Sequence, residues 1–227
     1  MNNENIAGSI KISKWKVQCS LLWVTAPLFI GTFLQFYIGN APKYAIDSVM
    51  DDQAQAVYGY ISMPVFVIGL FAMFIFGPIY HSISVLWNKG DVKGFVSLIR
   101  KQLLYTLLIA ILCILLGYFF GLPVLSFLYD IDLSGYLFEF MILLVSGGFF
   151  AATTLFVLVL TIIRFQRAIV IGYLSVSVCA LIFARPVVAT AGMTGASILN
   201  FLFTVGLASV MGCFSIYGVK RQESSEN

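Results

Sequence analysis

No charged residue interrupts the stretch from Val17 to Pro42, and five more long uncharged stretches follow it: about Tyr58 to Tyr80, Leu103 to Leu125, Phe140 to Ile163, Ala168 to Ala184 and Gly192 to Val219. Each approaches or exceeds the roughly 20 residues a helix needs to cross a hydrocarbon core ~30 Å thick. A chain built this way must satisfy its backbone hydrogen bonds inside each segment, and lipid-embedded backbone does so as helix. The pattern predicts an all-α integral membrane protein, a six-transmembrane-helix bundle with spans at about 17–39, 58–80, 103–125, 140–163, 168–184 and 192–219. The fifth is the shortest and ends at Arg185-Pro186.

Only 10% of residues are charged, against about a quarter in soluble chains. With 60% hydrophobic residues and a mean hydropathy of +0.98, the bilayer is the expected solvent. The net charge of +3 is modest, and nothing in its distribution supports nucleic-acid binding. Residues 1–16 read as a cytoplasmic leader carrying Lys11, Lys14 and Lys16. The apolar stretch that follows is longer than the roughly 7–15 residues of a secretory signal, lacks a small-residue cleavage pattern and precedes further spans. It reads as a retained first helix.

Six spans with the N-terminus inside place Lys11, Lys14, Lys16, Lys89, Lys93, Arg100, Lys101, Arg164, Arg167, Lys220 and Arg221 on the inner side. Only Lys43 and Arg185 remain outside, a split of eleven to two that fits retention of positive loops in the cytoplasm. Both termini are therefore expected to be cytoplasmic, with 220–227 as a tail. Trp15, Trp87, Tyr58, Tyr60, Tyr80, Tyr129 and Tyr136 fall near predicted span ends, where aromatic rings favour the interface. The connections are short, so 17–219 reads as one membrane domain.

Signatures of catalysis are lacking. The single histidine, His81, has no partner for a metal site or dyad and is expected at the headgroup level. Cys19, Cys113, Cys179 and Cys213 fall within spans without paired spacing. No phosphate loop, dinucleotide fingerprint or zinc-binding helix motif occurs. The expectation is a non-enzyme without a cofactor or metal.

Two places can contact an anion. In Asn40-Ala41-Pro42-Lys43-Tyr44-Ala45-Ile46-Asp47, Pro42 is expected to stop the first helix, leaving Lys43 to gather an anionic group while Asn40 and Asp47 fix the bend. The alternative is a local i,i+4 pair of Lys43 with Asp47. Arg185 either faces a central cavity or extends to the head groups. Gln35, Thr153, Thr154, Ser175, Ser177 and Asn200 lie inside spans and face either a lumen or neighbouring helices. Pro64, Gly77-Pro78 and Gly121-Leu122-Pro123 mark bends.

The Asn40 to Asp47 element, together with Gly121-Leu122-Pro123-Val124-Leu125-Ser126-Phe127-Leu128-Tyr129 and Gly192-Met193-Thr194-Gly195-Ala196-Ser197, resembles the C-terminal half of bacterial lipopolysaccharide and polysaccharide biosynthesis flippases. These belong to the multidrug/oligosaccharidyl-lipid/polysaccharide exporter superfamily. The resemblance runs from about Ser20 to Tyr217. It implies a lobe of a two-lobe protein in the plasma membrane that moves a lipid-linked oligosaccharide across the bilayer by alternating access. It also implies contacts from Lys43, Asn40 and Arg185 to substrate phosphate or sugar, with Pro64, Pro78 and Pro123 as hinges. A cavity between two lobes needs both of them. A second six-helix lobe, from a copy of this chain or another chain, is therefore the expected partner, besides membrane lipid. A multidrug-type small-molecule exporter lobe, and a non-transporting scaffold or truncated remnant, are the alternatives. An ion-coupled exporter would favour acidic residues buried mid-span, and none lies there.

Overall fold

The computed structural model describes Ala26 and residues 29–226. The described residues are helical throughout apart from short turns, with no strand. Helix α1 covers 29–49, α2 Asp52–Asn88, α3 Val92–Leu116, α4 Leu122–Tyr129, α5 Leu137–Ile162 and α6 Gln166–Glu226. A π-helical turn, Gly117–Gly121, joins α3 to α4, and a 3-10 turn, Ser134–Tyr136, precedes α5. Four segments among the described residues are long and apolar enough to cross a membrane: Asp52–Asn88, Val92–Tyr129, Ser134–Ile162 and Gln166–Arg221. The chain is thus a membrane-embedded, all-helical protein. The outer surface carries large apolar side chains such as Phe74, Phe119 and Phe127, as a lipid-facing surface requires.

Six separate helices matching the six expected spans are not what forms. The first expected span lies partly outside the described residues, as does the leader at 1–16. The fifth and sixth merge into α6, which runs through Arg185-Pro186 and is broken only at Gly192 (φ 58°, ψ −140°). The break is a reversal. A side chain built at Gly195 would meet the Val187 carbonyl oxygen at 2.8 Å, and one at Gly172 would meet Met211 at 2.8 Å. In a straight helix rising 1.5 Å per residue, residues 172 and 211 would stand almost 60 Å apart. The two arms of α6, 166–191 and 193–226, therefore lie antiparallel. Pro186 does not end the first arm: the helix runs on to the Gly192 break, with Ala184 and Val188 buried on either side of the proline. The chain turns where glycine can occupy a backbone region closed to other residues.

Pro42 is the second departure. Instead of ending the first helix it lies inside α1, and the expected outer loop shrinks to Met50 and Asp51. An interior proline costs about 3 kcal/mol. Here Ile38, Ala41, Ala45 and Ile46, with Pro42 among them, form one buried stripe at helical spacing, and packing of that stripe outweighs the loss. Asp51 then starts α2, its carboxylate accepting from the Ala54 N–H at 2.9 Å.

The third span is expected at 103–125 and forms as a longer run from Val92 to Tyr129. Its first end starts at Asp91, which accepts from the Gly94 N–H at 2.9 Å after a turn in which Gly90 takes φ 73°. Its expected bend at Gly121-Leu122-Pro123 takes the form of the π-helical turn. Gly117 and Gly121 allow this turn to press on Leu144 and Phe140 of α5, where a side chain at either glycine would approach within 2.4 and 2.5 Å.

Helix α5 is the central element, packing on α2, α3 and α6. Its adjacent glycines serve different neighbours: a side chain at Gly147 would strike Ile68 of α2 at 2.8 Å, and one at Gly148 would strike Ala110 of α3 at 2.9 Å. Small residues let membrane helices approach closely, which is where their packing energy comes from. Tyr58, expected at the interface, is instead interior, 1% exposed, with its hydroxyl donating to the Ala196 carbonyl at 3.4 Å.

Candidate functional site

The continuation of α1 through Pro42 carries Asn40 and Lys43 onto the helical face that also bears Thr32, Gln35 and Phe36. These residues form one wall of a cleft of about 470 Å³. Tyr58, Ser62 and Phe66 of α2 form the second wall, and Phe150 of α5 with Asn200 and Thr204 of the second α6 arm form the floor. From Thr32 to Lys43 the cleft runs roughly 16 Å along α1. The glycine at 147 allows the floor helix to lie directly against α2.

Most polar groups in this cleft are already engaged. The Ser62 hydroxyl donates to the Gly59 carbonyl at 2.9 Å, and Thr204 donates to the Asn200 and Phe201 carbonyls at 3.0 and 2.9 Å. The Asn200 side chain, 8% exposed, is hydrogen-bonded to Tyr58. The Asn40 amide donates to the Phe36 carbonyl at 2.9 Å, which leaves its side-chain oxygen as an acceptor.

Lys43 differs from all of these. It is half-buried and is the one formal charge among the described residues that line the cleft. The local pair with Asp47 does not form among the described residues, and Asp47 is exposed. An ammonium group held at the edge of an apolar cleft is less screened than one in open water, so its attraction for an anion is stronger.

Of the three residues singled out from sequence, Asn40 and Lys43 line the same cleft, while Arg185 stands apart, exposed on the first α6 arm. Gln35 and Asn200 join the cleft; Thr153 is buried and donates to the Phe149 carbonyl at 2.9 Å, which makes it a packing group. Tyr58 is the member that the sequence reading missed. It sits at the start of an uncharged stretch, where an interface ring is the expected reading, and its partner Ala196 is 138 positions away.

At the same end of the bundle, Glu139 at the start of α5 accepts a hydrogen bond from Thr194, just beyond the Gly192 reversal. Tyr60 of α2 stacks on Tyr129 of α4 with ring centroids 3.9 Å apart. These contacts hold together the ends of the helices around the Lys43 end of the cleft. The described residues contain no group of His, Cys, Asp and Glu suited to a metal ion. Compared with known protein families, with curated proteins and with solved structures, the chain matches none.

Proposed function

We propose that this chain supplies one lobe of a polysaccharide-type flippase of the plasma membrane, and that the α1–α2 cleft faces a lipid-linked oligosaccharide on its way across the bilayer. The observation that carries the reading is the convergence of Lys43, Asn40, Gln35 and Asn200 on one cleft that contains a single formal charge, a cation. A pyrophosphate-linked sugar offers that cleft an anion for the ammonium and hydroxyls for the amides. Among the described residues that line the cleft none is acidic, whereas a proton- or Na⁺-coupled small-molecule exporter favours a carboxylate inside the membrane.

On this reading the two α6 arms cross the membrane separately, and α1 belongs to the first expected span, part of which lies outside the described residues. Six crossings result, with both termini in the cytoplasm and the positive loops inside. The exposed aromatic residues Phe29, Phe33 and Phe36 on α1, and Phe66 on α2, form the rim along which a facing lobe closes the cleft.

The test is flipping of a polyprenyl-pyrophosphate-linked oligosaccharide in proteoliposomes, with the chain reconstituted alone and with candidate facing lobes. Lys43→Gln is expected to lower the initial rate roughly tenfold or more, as loss of a partly desolvated charge contact does. Lys43→Arg should retain most of the rate. No flipping above protein-free vesicles in any combination would favour the scaffold reading. Full activity of Lys43→Gln would remove the cleft assignment while leaving transport standing.

A further inference from the structure

A second concavity begins at the opposite end of α3 from the π-helical turn and shares no lining residue with the α1–α2 cleft. Its first part, about 480 Å³, lies between the start of α3, the end of α5 and the end of α6. Three cations border it, Lys93, Arg100 and Lys220, over an apolar floor that includes Phe156, Val159 and Val219. Among the described residues, no acidic residue lines it. Asp91, just before the lining residue Val92, accepts from the Gly94 N–H as the cap of α3.

Arg100 is shared with a third concavity of about 460 Å³. This one is a furrow between α3 and α5, lined by Leu103, Leu107, Ile111 and Ile114 on one side and by Val145 and Phe149 on the other. The two concavities are continuous in register. On α3 the lining positions 93, 96, 100, 103, 107, 111 and 114 follow one helical stripe, and on α5 positions 145, 148, 152, 156 and 159 do the same. Gly148 and Ala152 give the furrow its depth, and Gly148 brings α3 and α5 together at Ala110. The result is a cationic seat at one end of an apolar trough, the whole spanning about six turns of α3, roughly 32 Å at 5.4 Å per turn.

We propose that this trough is a binding site for one phosphate-bearing, anionic membrane lipid, with its headgroup among Lys93, Arg100 and Lys220 and one acyl chain in the α3–α5 furrow. Charge complementarity selects the headgroup. An apolar furrow that starts at the cations and continues into the membrane selects a lipid over a soluble phosphate. An isolated cation at a membrane surface attracts anionic lipid without fixing where the chain lies; here the furrow beneath Arg100 holds the chain. The site does not depend on the flippase reading, only on the chain lying in a membrane. Flipping and lipid binding can therefore fail independently.

The test uses the full chain in phosphatidylcholine vesicles that contain a trace of phosphatidylglycerol bearing a diazirine midway along one acyl chain. After illumination, mass spectrometry should place the adducts on peptides covering 103–114 and 145–152. Unlabelled phosphatidylglycerol should compete and inorganic phosphate should not. Lys93→Gln with Arg100→Gln should lower labelling about 25-fold, at roughly fivefold for each cation. Ala152→Phe fills the furrow while keeping every charge, and should lower labelling of these peptides by a similar order. Both variants are first checked for helix content and a single species in detergent. Equal labelling by a phosphatidylcholine probe, labelling spread over all lipid-facing helices, or displacement by inorganic phosphate would each overturn the proposal.

Discussion

The α1–α2 cleft and the α3–α5 furrow are similar in volume, about 470 and 460 Å³, yet they distribute polarity in opposite ways. Along the cleft, polar side chains recur from Thr32 through Gln35 and Asn40 to Lys43, and Asn200 with Tyr58 adds a polar floor. Below Arg100, the furrow holds only Thr106 as a hydroxyl, and that group donates back to the Gln102 carbonyl at 2.9 Å. Volume alone therefore says little about what a membrane concavity accepts. A path for a sugar-bearing molecule needs polar groups along its length, whereas a seat for a lipid chain needs them at one end only.

The largest expected effect falls on the α6 hairpin, which supplies Asn200 and Thr204 to the cleft and Lys220 to the cationic seat above the furrow. Gly192→Val forces a β-branched residue into the backbone region at φ 58°, ψ −140°, a strain of about 1–3 kcal/mol. Space is not the obstacle, since the nearest neighbour of an added side chain is Met50 at 3.9 Å. The hairpin should open, and the thermal transition in detergent should fall by several degrees, with flipping and lipid labelling lost together.

Next come the adjacent glycines of α5, which separate the two regions. Gly147→Leu should wedge α2 from α5 and cost roughly 1–3 kcal/mol through overpacking, with flipping lost and lipid labelling kept. Gly148→Leu should cost a similar amount but act at α3, with labelling lost and flipping kept. Identical phenotypes in rate and labelling assays would mean that the two concavities are not separate sites.

Thr194→Val removes the hydrogen bond to Glu139 near the Lys43 end of the cleft. Inter-helix hydrogen bonds in membranes are worth about 0.6–2 kcal/mol, so a small drop in thermal stability is expected. The least effect belongs to Arg185→Gln. Arg185 is exposed and lines neither concavity, so its loss should change stability by less than about 0.5 kcal/mol and leave the flipping rate within twofold.

These contrasts also separate what the sequence made legible from what it did not. The fourth expected span, 140–163, forms as Leu137–Ile162, because an uncharged stretch ends against the turn in which Arg164 takes φ 58°. Asn40 and Lys43 were visible as a polar pair beside an apolar span, and they do meet in one cleft. The two prolines misled, since a local backbone cost was set against packing that no local rule contains. Pro42 sits in a stripe buried by other helices, and Pro186 lies between the buried Ala184 and Val188. The role of Gly192 as a reversal point was hidden by an abundance of other glycines, because its φ and ψ are decided by how the two α6 arms pack. Arg185 carried the same outward signal as Lys43, but only Lys43 falls on a face turned to a cleft.

The most direct measurement compares two thiols in a background from which the native cysteines have been removed. Ser62→Cys places one in the cleft, and Ala152→Cys places the other in the furrow. Both are treated in membranes with a charged, water-soluble maleimide, with and without a polyprenyl-pyrophosphate-linked oligosaccharide. The account predicts that the thiol at 62 reacts and is protected several-fold by the oligosaccharide, while the thiol at 152 stays unreactive in both conditions. Equal reactivity at the two positions, or reaction at 62 that the oligosaccharide leaves unchanged, would contradict the assignment of the cleft as the substrate-facing wall.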